Sequence, residues 1–191
     1  MKPRAFMAAA AICFTALRVH ADCGAIGHVF AREGRVVVER ACKLSLVAEP
    51  ELIRLSDLVR TAQDGHASVR FPGFGHLDLT PNSSIQFELF YRSPNVAALA
   101  SLLEISIQAG GFLFVAETRD AFETRLSFRN AVVSLRNATV NVEARNGAAN
   151  VSLLTGEILV ESKFRVIRHQ APAFAGTFEY HPRLAECEES S

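Results

Sequence analysis

The chain has 191 residues, 49% of them hydrophobic, with 20 basic side chains balanced by 20 acidic ones. That length suits one domain with a real core. The charge balance gives no basic excess of the kind a nucleic-acid partner demands. The first seventeen residues, MKPRAFMAAAAICFTAL, open with Lys2 and Arg4 and continue as an apolar run. The run is too short to cross roughly 30 Å of hydrocarbon. Val19-His20-Ala21 places small residues where a signal peptidase reads, so residues 1–21 are expected to be a cleaved signal peptide. His20 and Asp22 argue against a lipoprotein signal at Cys23. No later stretch is long and apolar enough to span a bilayer, so no membrane anchor is expected after processing.

Loss of Lys2, Arg4 and Arg18 with the signal leaves 17 basic and 20 acidic residues, a formal charge of −3. Such a chain is a poor nucleic-acid ligand. Cys13 leaves as well, and Cys23, Cys42 and Cys187 remain in an oxidising compartment. Cys23 and Cys42 lie almost symmetrically about Glu33-Gly34, a plausible hairpin turn, and paired strands there would bring them together. The alternative, Cys23 with Cys187, would join the two ends. The hairpin arrangement is favoured.

From residue 25 onward the apolar residues keep a period of two, the mark of half-buried strands. Val29 leads into a first strand and Val36 to Val38 form a second. Val69 and Phe71, Leu77 and Leu79, then Ile85, Phe87 and Leu89 follow. Next come Leu103, Ile105 and Ile107, Phe112 and Phe114, Thr124, Leu126 and Phe128, then Val133 and Leu135. Val140 and Val142, Val151 and Leu153, Ile158 and Val160, and Phe164 and Val166 complete the series. Strands recurring about every ten residues imply an all-β sandwich, barrel or solenoid. Asn146-Gly147 is the strongest hairpin signal, because both residues tolerate positive φ. Thr155-Gly156 and Asp64-Gly65 are weaker turn signals. Residues 93–104, SPNVAALASLLE, differ: Ser93 can cap, Pro94 suits a first helical position, and the body is rich in Ala and Leu. A short helix or ordered loop is expected there. Residues 22–181 read as one β domain, and the acidic residues 182–191 as a tail with frayed ends.

Several elements together resemble the FecR domain of bacterial envelope proteins. Gly27-His28-Val29 opens the match. Leu55-Ser56-Asp57-Leu58-Val59-Arg60-Thr61 is similar to the family's "L-x-x-G-D-x-i-x-T", and Asp64-Gly65-His66-Ala67-Ser68-Val69-Arg70-Phe71 to its "d-G-x-a-x-l-x-f". Leu77-x-Leu79-x-Pro81-Asn82-Ser83-Ser84-Ile85 resembles "l-x-l-x-p-n-S-x-i". Leu103 to Gly110 and Leu153 to Val160 resemble two later strands of the family. The resemblance covers roughly residues 26–163. Ser56 stands where the family usually has Gly, Phe74-Gly75-His76 where it has Asp-Gly-Ser, and Asn137-Ala138 where it commonly has Gly-Thr. The resemblance implies an all-β fold, solenoid-like or a two-sheet sandwich of short antiparallel strands, in the periplasm. Well-known members signal from an outer-membrane iron transporter to a cytoplasmic sigma factor through a transmembrane helix. The resemblance supplies the module and not that role.

No residue constellation specifies an enzyme. His28, His66, His76, His169 and His181 lack zinc-ligand spacing, although His66 and His76 beside turn glycines could approach on adjacent strands. No metal or cofactor is expected. Asp57, Asp64 and Asp78 lie on or next to predicted turns, where a carboxylate accepts backbone N–H bonds. Phe71, Phe74, Phe87, Phe112, Phe114 and Phe128 read as core, with Phe74, between turn glycines, expected to be the most open of the six. With no Trp and only Tyr91 and Tyr180, the chain lacks the aromatic platforms of many sugar-binding surfaces. The expectation is a periplasmic or secreted non-enzymatic module that binds an envelope protein, or alternatively a polysaccharide- or peptidoglycan-associated structural protein. Its oligomeric state is left open.

Some family members cleave themselves at a Gly-Thr bond, using the threonine hydroxyl as nucleophile. Ala138 has no hydroxyl, and Thr139 comes one position late. Exported protein should therefore give one intact mass beginning at Asp22. Retention of Met1, or two fragments divided between residues 136 and 140, contradicts this expectation.

Overall fold

The computed structural model describes residues 24–91, 101–117, 122–172 and 174–180. Their regular structure is entirely strand. The strands are β1 (Ala25–Glu33), β2 (Val36–Arg40), β3 (Lys43–Leu46), β4 (Glu51–Arg54), β5 (Leu58–Thr61), β6 (His66–Phe71) and β7 (Gly75–Leu79). They continue with β8 (Ser84–Tyr91), β9 (Ser101–Ala116), β10 (Phe122–Ser127), β11 (Ala131–Arg145), β12 (Ala148–Ser162), β13 (Arg165–Gln170) and β14 (Ala175–Glu179). Alternation of buried and open positions along most of them follows from the two-residue period of a pleated strand.

Hydrogen bonds join all 14 strands into one mixed network. Three long strands fold that network into two layers. The first half of β9 lies between β8 and β10, whereas its second half lies between β7 and β11. β11 pairs β10 through Ser127↔Val132 to Thr124↔Leu135, then turns to pair β9 through Thr139↔Val115 to Ala144↔Gly110. β12 carries β14 on its first half and β13 on its second. The first layer therefore runs β3-β2-β5-β8-β9-β10-β11-β12-β13, and the second β4-β1-β6-β7-β9-β11-β12-β14. The β9–β10 pairing is parallel and the others are antiparallel. Phe71 of β6 meets Phe87 of β8 at 5.2 Å, and Phe128 meets Phe178 of β14 at 4.9 Å, so aromatic contacts bridge the layers. Val29, Leu77, Phe87, Phe114, Val140 and Val151 are fully enclosed between them.

The bends need unusual backbone. Gly110 has φ +75, Asn137 φ 42 and Gly156 φ +82. A Cβ on Gly156 would overlap the carbonyl of Asn137, so the bends of β11 and β12 nest only because one of them is glycine. At the β9 bend, Ser83 Oγ accepts the Gly111 N–H at 2.8 Å and donates to the Gly111 carbonyl at 2.8 Å.

The all-β fold and two facing layers agree with the sequence, with several local corrections. Strands are not uniformly short: β9 has 16 residues, and β11 and β12 have 15 each. Thr155-Gly156 is a bend inside β12, not a turn. Of the expected helix, residues 93–100 lie outside the described residues, and Ser101–Glu104 belong to β9, held by neighbours on both sides. β1 and β2 flank Glu33-Gly34 without pairing: β1 pairs β4 and β6, and β2 pairs β3 and β5. The chain crosses between layers there, so the hairpin argument for Cys23 and Cys42 does not hold. Asn146-Gly147, with φ 53 and 78, does close the β11–β12 hairpin.

Two glycines separate backbone strain from crowding. Both Gly110 and Gly147 have positive φ, but a Cβ at 110 would crowd Ser83 Cα at 2.5 Å, while at 147 it meets only the Tyr180 carbonyl at 4.0 Å. Gly110→Ala should destabilise by about 3 kcal/mol or more, and Gly147→Ala by about 1 kcal/mol. Equal losses in urea unfolding would contradict the packed bend.

Candidate functional site

The motif-bearing residues form a scaffold. Ser56 has φ 67, the left-handed conformation that explains a glycine preference at this turn. It turns the chain so that Asp57, 1% exposed, points inward. Asp57 accepts the Arg54 N–H at 2.8 Å and holds the Arg40 guanidinium through two bonds of 2.9 and 2.6 Å. Arg40 also donates to the Leu52 carbonyl at 2.8 Å, so the charge pair ties β2, β4 and the β4–β5 turn together. Thr61 Oγ1 donates to the Thr80 carbonyl at 2.6 Å and accepts the Ser83 N–H at 2.9 Å. Ser83 then secures Gly111. These side chains are committed to backbone groups and to one another.

Surface features lie elsewhere. A cleft of about 580 Å³ opens at one end of the sandwich, between Phe128–Val132 and Glu161–Phe164. Two adjoining clefts of about 450 and 370 Å³ share Asn141, Glu143 and Asn150 on the outer face of the second layer. Thr177 Oγ1 donates to Asn150 Oδ1 there at 2.8 Å. At the ends of the first layer, β3 exposes Leu44 (65%) and Leu46 (68%), while the β12–β13 hairpin exposes Phe164 (85%) and Val166 (65%).

The sequence-derived candidates are dispersed. Cys42 occupies the β2–β3 turn with φ 62, and Cys23 lies outside the described residues. His76 stands opposite Arg70, whereas His66 lies at the far end of the β6–β7 ladder, so the two histidines do not meet. Among the described residues no three His, Cys, Asp or Glu side chains are grouped to hold a metal. Asp57 has the expected turn role, but Asp78 is within β7 and accepts the Ser68 hydroxyl at 2.6 Å. Phe74 is 1% exposed and belongs to the core as expected; the turn does not open it but folds it inward against Phe122 at 5.0 Å. Among the described phenylalanines Phe164 is the most exposed, at 85%, ahead of Phe30 at 42%, although its alternation with Val166 resembled an ordinary half-buried strand. At the bend where relatives carry Gly-Thr, Asn137 adopts positive φ and Ala138 is buried.

Sequence reasoning also missed a half-buried charge cluster on the first layer. Glu123 accepts from Arg125 Nε at 2.8 Å and from Ser134 Oγ at 2.9 Å, and Ser127 donates to Glu104. Burial opposes the charge of Glu123, but these hydrogen bonds and the charges of Arg125 and Arg136 outweigh it and hold the carboxyl below its ordinary value of 4.5. A carboxylate depressed in the folded state stabilises fully above its unfolded pKa, and that contribution is lost as pH falls through the folded value. The melting temperature of wild type should thus fall more steeply than that of Glu123→Gln below about pH 4.5. Parallel curves would contradict this role.

The FecR protein family profile matches residues 57–159. No curated protein sequence matches the chain. Two crystal structures of a provisionally assigned anti-sigma factor from Parabacteroides distasonis are similar, at 17% and 16% identity with TM-scores of 0.48 and 0.46. Each similarity covers 65% of this chain and 60% of the other, so the chain spans less than two thirds of these neighbours' length. The matched region runs from Asp57 through the three bends to Leu159, and the chain belongs to the FecR family.

Proposed function

We propose that this protein is an exported, non-enzymatic FecR module that binds an envelope protein through its exposed strand edges. The carrying observation is the pair of open edges, β3 and β13, that end the first layer and expose Leu44, Leu46, Phe164 and Val166. Open edges with large apolar side chains are a liability in a free protein and a resource in a complex. Export to the periplasm or beyond rests on the signal-like segment 1–21. The proposal includes a Cys23–Cys42 disulfide, supported by the disulfide-bonded state of Cys42 and by the start of β1 beside Arg54, whose N–H joins Asp57 and thereby the end of β2. Non-reducing peptide mapping that joins Cys23 to Cys187 would overturn it.

The polar clefts around Asn141, Glu143, Asn150 and Thr177 favour a second reading, association with polysaccharide or peptidoglycan. Capture from envelope extracts separates the two. The first reading expects retention of one protein that disappears when the extract is treated with protease and weakens on Val166→Asp. Retention on purified peptidoglycan, insensitive to that substitution and weakened by Asn150→Ala, would transfer the function to the polar face.

A further inference from the structure

β13 carries a specific recognition pattern. It ends the first layer, and β12 is its hydrogen-bonding partner among the described residues. The Ala171 N–H donates to the Gly156 carbonyl at 3.0 Å, just beyond the Glu157↔Gln170 pair. Alternation in an antiparallel ladder then turns the N–H and C=O groups of Arg165, Ile167 and His169 toward β12. Those of Val166, Arg168 and Gln170 face the open side. The strand therefore offers a ready template for one more strand.

Its side chains select among occupants. Val166 and Ile167 are exposed on opposite faces, so an added strand would gain apolar neighbours on both. Arg165 and Arg168 flank them, with Lys163 at the turn above its neighbour Phe164. Arg168 has a carboxylate neighbour, Glu157, at 3.3 Å, whereas among the described residues no carboxylate lies within ion-pair reach of Lys163 or Arg165. A basic edge could serve only to repel other strands, but adjacent exposed Val, Ile and Phe side chains undo such protection. Pairing β13 with β13 of a second copy would set cations against cations. Resting on the protein-binding reading above, we propose that β13 docks an extended segment with the pattern acidic-apolar-apolar-acidic opposite Arg165, Val166, Ile167 and Arg168, supplied by the envelope partner.

The test uses the secreted protein, isotopically labelled, with a blocked peptide of core Thr-Glu-Val-Val-Glu-Thr and a matching Thr-Lys-Val-Val-Lys-Thr peptide. The acidic peptide should shift the amides of Val166, Arg168 and Gln170 saturably. It should bind about tenfold more tightly than the lysine peptide, with a preference that shrinks in high salt. Val166→Pro removes an outward donor while leaving the β12 ladder its bonds, and it should abolish binding at an unchanged melting temperature. If that variant fails to fold, the Arg165→Glu, Arg168→Glu double variant should reverse the preference toward the lysine peptide. Equal binding of the two peptides, binding of neither, self-association through β13, or recruitment to phosphatidylglycerol vesicles without peptide binding would each overturn the proposal. Failure here with protease-sensitive capture intact defeats this edge alone; loss of both defeats the protein-binding reading beneath it.

Discussion

Everything in this fold depends on bringing three long strands across from one layer to the other without losing their ladders. A strand of 15 or 16 residues that stayed straight would run beyond the core. By bending at Gly110, Asn137 and Gly156, β9, β11 and β12 contribute one half to each layer. Each bend needs positive φ, which costs an ordinary residue about 1–2 kcal/mol. Glycine avoids the cost at two of them, and asparagine reduces it at the third. Ser83 then fixes the β9 bend by satisfying both backbone groups of Gly111. Ser83 is itself held by Thr61, and β5, which carries Thr61, continues from the turn built on Asp57. Asp57, Thr61 and Ser83 thus form a chain of supports that ends at a bend in the sheet.

This explains why the pattern identifies a family so much better than an activity. Asp57, Thr61 and Ser83 are polar, buried and hydrogen-bonded, the combination that often marks a site. Here each satisfies backbone donors or acceptors that a tight turn would leave unpaired. Replacement of the usual Gly by Ser56 retains the required backbone geometry without adding chemistry. Asn137 does the same where relatives have glycine, while Ala138 supplies no hydroxyl. The surfaces that this scaffold positions and leaves accessible are the polar outer face of the second layer and the open edges of the first.

Much of the fold was legible because a two-residue period reports burial directly. Leu77, Leu79, Val140, Val142, Val151 and Leu153 all point inward as that rule requires. The failures came where long-range pairing decides. Glu33-Gly34 looks like a hairpin turn locally, yet the chain changes layers there, and nothing in the sequence names the partners of β1 and β2. Phe74 and Phe164 show the same limit for side chains. Both adjoin turns, but one turn faces Phe122 across the sandwich and the other projects past its edge. Alternation across Phe164 and Val166 cannot reveal that, among the described residues, no further strand covers them. The charge cluster at Glu123 was equally hidden, since it joins β10 to β11 through Ser134.

The central claim is that buried motif residues hold the bends while the β13 edge stays open. Amide hydrogen exchange in the folded protein tests both halves at once. The account predicts that Ser83 and Gly111 exchange only with global unfolding, and that β13 alternates, with Ile167 and His169 protected and Val166 and Arg168 fast. Rapid exchange at Gly111, or uniform protection along β13, would contradict it.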